Sequence, residues 1–151
     1  MPDHSRDLLY LLHDTARLLR VEADKRARAT GMTRAQWVLL LRVRDRPGLS
    51  QKELSELLEV EPITVARLVD RLEGRGMVER RADPRDRRIW RLHLRPAADP
   101  VLKEIEVQRL ALRELISAGL DPDTLRAATD GLIRMKVNIL AVDRDDEKEV
   151  A

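Results

Sequence analysis

Between Arg75 and Arg95 the chain carries eight arginines, Arg75, Arg80, Arg81, Arg85, Arg87, Arg88, Arg91 and Arg95, against Glu79, Asp83 and Asp86. A guanidinium is a planar, permanently charged fork that suits phosphate oxygens, so the chemistry on offer is recognition of a polyanion rather than bond making. The segment holds a charge of +5, which leaves −3 for the rest of a chain whose formal net charge is +2. A mildly acidic body with one cationic segment is electrostatically aimed, and duplex DNA is the partner it suits. The plainer reading of a charge run is a solvated face. That every cation here is arginine favours phosphate contact.

Other chemistries lack carriers. The chain has no cysteine, which removes disulfides, thiolate nucleophiles and thiol redox sensing. His4, His13 and His93 are scattered without metal-ligand spacing. No phosphate-binding glycine loop, dinucleotide turn or Ser/His/Asp constellation is present, so a hydrolase or transferase reading has no residues to rest on. No cofactor and no metal are expected. No apolar run approaches the roughly 18–20 residues of a membrane span, and the N-terminus lacks a signal-peptide pattern. A cytoplasmic protein without a membrane partner is the expectation.

The arginines need a scaffold, and the local pattern supplies one. Residues 77–82 and 89–95 read as paired strands around the turn Asp83-Pro84-Arg85-Asp86, with Trp90, Leu92 and Leu94 on one inward face. Two short helices precede them. Ser50-Gln51-Lys52-Glu53 is a capping box opening a helix to about Leu58, which buries Leu54, Leu57 and Leu58. Glu59-Val60-Glu61 turns the chain, and Pro62 suits the first turn of the next helix. That helix turns Val65, Leu68, Val69 and Leu72 inward and Thr64, Arg67, Arg71 and Arg75 outward, ending at Gly74 or Gly76. A helix–turn–helix followed by a cationic hairpin is a winged helix. Its second helix fits a major groove, and its hairpin reaches phosphates or the adjacent minor groove.

The flanks are helical. The 151 residues suit one compact domain, or a small domain with a long helical appendage. Tyr10, Trp37 and Trp90 are the only aromatics, so the core must be aliphatic. Residues 5–29 form a helix with Leu8, Leu11, Leu12, Leu18, Leu19 and Ala23 at helical spacing, stopped by Gly31. Thr33-Arg34-Ala35-Gln36 caps a helix to about Arg44 that carries Trp37, Leu40, Leu41 and Val43. After the hairpin a helix starts near 96–100 and carries Leu102, Ile105, Leu110, Leu112, Leu115 and Ile116 to Gly119. The last begins at Asp121-Pro122 and carries Leu125, Leu132, Ile133, Val137, Ile139 and Leu140. Helices apolar on two faces need two partners, and a chain this small offers one core. A homodimer follows, with Leu8, Leu12, Leu19, Ile133, Val137 and Leu140 in its interface. The expected fold is mainly α with a small β-wing. Residues 32–96 form the winged helix, 1–31 and 97–145 the dimerisation region, and 146–151 a disordered tail at the end of a charged stretch that frays from Asp143.

Three motifs in this order resemble the MarR family of transcriptional regulators, most closely its SlyA-like branch. Gly31-Met32-Thr33-Arg34-Ala35-Gln36-Trp37 resembles that branch's first helix junction. Leu68-Val69-Asp70-Arg71-Leu72-Glu73-Gly74-Arg75-Gly76-Met77-Val78 is similar to the family's recognition-helix exit, and Asp86-Arg87-Arg88 to its wing signature. The resemblance implies a dimeric, sequence-specific regulator, a repressor acting at pseudo-palindromic operators. It places Arg87 in the minor groove, flanked by Arg85, with Asp86 holding Arg88 or a neighbouring arginine. Pro62, Ile63, Thr64 and Arg67 would face the major groove, with Arg71 and Arg75 outward on the same helix and Ser50 and Gln51 near phosphates. One departure is Arg95 where the family usually has threonine, followed by Pro96-Ala97-Ala98, which leaves the start of the fifth helix open by a few residues. Zinc-sensing and thiolate-based members are poor guides here. Many members resemble one another in binding small aromatic anions. Trp37 stands at the matching junction, and His13 and Arg17 could partner a carboxylate. The plainer readings are that Trp37 is core and that His13 and Arg17 lie on a solvated helix face. The rival function is a protein-interaction scaffold without DNA readout, which has no need of an arginine wing.

Overall fold

A computed structural model describes the backbone of residues 5–149 and the side chains of 5–142. Helix α1 spans Leu8–Ala29, capped by the Asp7 carboxylate, which accepts the Tyr10 N–H at 2.8 Å. The two capping boxes form as their spacing predicts. Thr33 and Gln36 exchange hydrogen bonds at the start of α2 (Arg34–Asp45), and Ser50 and Glu53 do so at the start of α3 (Gln51–Leu58). Each box satisfies two backbone donors that a helix start leaves bare. Glu59 then takes the left-handed conformation at φ 52°, and α4 (Pro62–Gly74) opens on its proline.

Strand β1 (Val78–Ala82) pairs antiparallel with β2 (Trp90–Leu94), Arg80 opposite Leu92. The segment before α3 joins the sheet edge: Leu92 N–H donates to the Leu49 carbonyl at 2.8 Å, and Gly48 N–H to the Leu92 carbonyl at 2.9 Å. This ties the hairpin to the entrance of the helix–turn–helix. A single 3-10 turn at Pro96–Ala98 leads into α5 (Asp99–Ser117), which settles where the fifth helix starts. The last helix, α6, spans Pro122–Glu149. Its backbone is helical where a tail was expected from 146, since the run before Glu149 is charged but free of proline and glycine. Residues 150–151 lie outside the described ones, as does His4.

By contact the chain divides into two compact units, Met1–Leu112 and Arg113–Ala151. The first has an aliphatic core in which Leu39, Leu40, Leu54, Val65, Val69, Leu72, Val78 and Leu92 are fully buried together with Trp37 and Ile105. The four inward residues of α4 are all buried, so the opposite face of that helix is fixed outward. Trp90 shares the face of Leu92 but is exposed, because β2 leaves the core toward the hairpin tip. In the second unit, none of the described residues of α6 is buried.

Candidate nucleic-acid interface

The outward face of α4 presents Pro62, Ile63, Thr64, Arg67 and Arg71, all exposed, with Arg75 as its C-cap. Ile63 is an exposed apolar residue in the first helical turn, where a thymine methyl or similar apolar edge is the natural counterpart. Among the described residues Arg67, Arg71 and Arg75 form no ion pair within 4 Å. Their charges are therefore unneutralised on the face that a duplex would meet.

The hairpin tip is held by two carboxylates with different duties. Asp83 is buried and accepts from the backbone N–H groups of Arg85 (2.7 Å) and Asp86 (3.1 Å) as well as from Arg91 Nε. Arg91 reaches on, donating through Nη1 to the Gly48 carbonyl at 2.9 Å. Asp86 accepts from the Arg88 N–H and Nε, each at 3.0 Å, while Arg88 Nη2 donates to its other oxygen at 3.0 Å. Arg88 is thus held bidentately although its side chain is 90% exposed. Arg85 and Arg87 are the chain neighbours of Asp86 and form no ion pair among the described residues.

The charge count of the segment therefore overstates what is available to phosphates. Arg80, Arg81, Arg88 and Arg91 are ion-paired to Asp70 and Glu73, Glu79, Asp86, and Asp83 respectively. Arg75, Arg85, Arg87 and Arg95 are not, among the described residues. Ser50 and Gln51 are also committed: Ser50 is buried and its hydroxyl accepts the Glu53 N–H at 3.1 Å, and the Gln51 side-chain carbonyl accepts from Arg80 at 2.7 Å. The Asp83, Arg91 and Arg80 contacts escaped the sequence reading. Each joins residues distant in the chain, and only their type, not their spacing, hinted at pairing.

The titration of the wing follows from these contacts. Arg91 and the Arg85 and Asp86 amides hold the Asp83 carboxyl below its ordinary range, and the Arg88 guanidinium does the same for Asp86. The Ser50 amide and hydroxyl lower Glu53, and Arg81 lowers Glu79. Carboxylates depressed in the folded state stabilise it fully above their unfolded pKa, about 3.9–4.3, and lose that contribution as pH falls through the folded value. The wing's carboxylate contacts are therefore intact across neutral pH. Burial pushes the His93 imidazole down, with Arg81 acting in the same direction, and the ring lies beside Gly48.

The residues considered for a small ligand divide. Trp37 is 3% exposed, and its indole N–H has no hydrogen-bond partner among the described residues. It borders a cleft of about 200 Å³ together with Met32, Pro100, Val101, Arg75 and Glu104. His13 and Arg17 do not line this cleft. They are exposed on α1, where Arg17 pairs with Asp14 at 2.7 Å. Of the residues considered for dimerisation, Leu8, Ile133, Val137 and Leu140 are exposed, and Leu12 and Leu19 are half-buried.

The MarR family model matches residues 32–90, which include α2 to α4, β1 and the hairpin turn as far as Trp90, the first residue of β2. The chain is 35% identical to transcriptional regulator PA3341, covering 87% of this chain and 97% of that one at a TM-score of 0.75. It is 26% identical to a solved MarR, with 96% and 99% covered and a TM-score of 0.83. It is 28% identical to the transcriptional regulator SlyA, with 88% and 94% covered and a TM-score of 0.75.

Proposed function

This chain belongs to the MarR family of transcriptional regulators, and from that premise we propose that it acts as a homodimeric repressor of pseudo-palindromic operators, within the SlyA-like branch. It is a DNA-binding regulator and not an enzyme. What carries the finer reading is one arrangement: an outward α4 face bearing unpaired Arg67 and Arg71, and a wing tip bearing unpaired Arg85 and Arg87, both in the first compact unit. In a dimer two such heads address successive major grooves, with half-site centres about 10 bp apart. Residues 32–96 read the DNA. Residues 1–31 and 97–145 provide the pairing surface, which the exposed apolar residues of α1 and α6 support. A cytoplasmic location goes with this reading.

Selection of duplexes from a random pool by the full-length protein tests this reading. It should return sites with two-fold symmetry. Arg67→Ala should then relax the preference at one position of each half-site, losing roughly 1–3 kcal/mol of discrimination, because a base-edge contact is removed while the phosphate contacts stay. Recovery of asymmetric sites, or an equal loss on selected and random duplexes, would count against it.

A second reading, control by a small amphipathic anion, is favoured by the cleft beside Trp37. Met32 and Val101 offer apolar walls, and Arg75 offers a cation on the C-cap of α4 itself. A ligand in this cleft bears directly on the end of the reading helix. It changes DNA affinity only as far as it favours one arrangement of the protein over another. Salicylate titrated to millimolar concentration into a Trp90→Tyr background should quench Trp37 and release DNA. With a hundredfold excess over the dissociation constant of the non-binding form, the bias is about 2.7 kcal/mol, or about two orders of magnitude in DNA affinity. Neither quenching nor release would leave Trp37 as core alone.

A further inference from the structure

Arg80 sits in the middle of β1, opposite the buried Leu92, and its side chain is only 18% exposed. Its guanidinium donates to four groups on two other elements. Nε reaches the Gln51 carbonyl oxygen at the first residue of α3 (2.7 Å), and Nη1 reaches Glu73 Oε1 (3.0 Å). Nη2 is shared between Asp70 Oδ1 (2.6 Å) and the Ala66 backbone carbonyl (3.3 Å). The Arg80 backbone N–H adds a bond to Glu73 Oε2 at 3.1 Å. Ala66, Asp70 and Glu73 lie at helical spacing along one stripe of α4.

We propose that Arg80 is a positioning residue for DNA reading: it fixes the angle between the wing and the recognition helix, and it does not itself meet phosphate. The proposal rests on the DNA-reading function above. Wing and helix must enter neighbouring grooves together, so their separation is as important as their side chains. Five residues lead from Arg80 to Arg85 at the tip, of which only Arg81 and Ala82 belong to the strand, so the lever arm is at most about 16 Å at roughly 3.3 Å per residue, and a pivot of about 10° at Arg80 moves the tip by up to roughly 3 Å. That exceeds the tolerance of a hydrogen bond. Only a guanidinium can serve, because its planar fork meets acceptors on α3 and α4 at once, whereas an ammonium is a point charge with three donors. Asp70 and Glu73 are carried by α4, whose other face is buried in the core, so the clamp ties the wing to a helix packed on that core.

The test uses the full-length protein, a random-sequence duplex and the tightest duplex that the wild type selects from a random pool. Arg80→Met and Arg80→Lys should both lose about tenfold or more on the selected duplex, with the random-duplex salt slope unchanged, because orientation and not a phosphate contact is lost. Asp70→Asn should also weaken selected binding, and the double variant Asp70→Asn/Arg80→Met should be no worse than Arg80→Met alone. A phosphate-contacting Arg80 gives the opposite set. Lysine would then keep nearly full affinity, methionine would lower both duplexes equally and reduce the slope by about two per dimer, and Asp70→Asn would strengthen binding by freeing the cation. That set overturns the proposal. If Arg80→Met fails to fold, as thermal melting will reveal, Arg80→Lys and Asp70→Asn still separate the two. A wild type that binds neither duplex at low salt removes the DNA-reading function itself, and the proposal with it.

Discussion

Leu140→Glu should turn the protein into a monomer and abolish measurable operator binding. Leu140 is exposed on α6, in a helix with no buried residue among those described, next to exposed Ile133, Val137 and Ile139. A helix of this length gains little from propensity alone and draws its stability from a packed apolar face. In the proposed homodimer a second copy of the chain supplies that face. A carboxylate placed there and left unpaired costs several kcal/mol, counted once per subunit. Loss of pairing also separates two DNA-binding heads whose joint binding exceeds either alone by roughly 10²–10⁴. Sedimentation and DNA titration at micromolar protein measure both effects. The volume-conserving Leu140→Met should leave both intact, which separates burial of charge from a change of shape. A Leu140→Glu variant that still sediments as a dimer, or a wild type that sediments as a folded monomer, would remove this surface from the account.

Local chemistry made most of the fold legible. The two capping boxes, Pro62 and the inward quartet of α4 each depend on residues within one or two helical turns, and each appears where its spacing puts it. The hairpin was legible from alternation and from its turn residues. What stayed hidden is what the arginines do. Eight cations look alike in the sequence, yet Arg80 is spent on α3 and α4, and Arg91 on Asp83 and Gly48. Those partners lie 7 to 43 residues away, where periodicity carries no information. Trp37 shows the same limit. Its burial could be read from the apolar pattern of α2, but the neighbouring cleft depends on where α4 ends and α5 begins.

The pairing of the wing also sets an order among its arginines, and Arg87→Ala is expected to do the most harm. Asp86 takes the Arg88 guanidinium bidentately and so offsets its charge, while Arg87 forms no ion pair among the described residues. Removing the Arg87 side chain breaks no ion pair among the described residues, so the melting temperature should not move. On DNA the loss falls on both wings of a dimer. If each charge-assisted contact contributes about 1.5 kcal/mol, the pair is worth about 3 kcal/mol, or roughly a hundredfold in affinity. The salt slope should fall by about two, one for each cation withdrawn. Arg88→Ala should lose less on DNA, since its charge is already met by Asp86, but it should loosen the turn that Asp86 helps to hold. Salt-dependent titrations of both variants against the same duplex decide the matter. If Arg87→Ala binds like the wild type while Arg88→Ala collapses, intramolecular pairing is not what selects the DNA-reaching cation, and the wing must rearrange on binding so that Asp86 releases Arg88 to the groove.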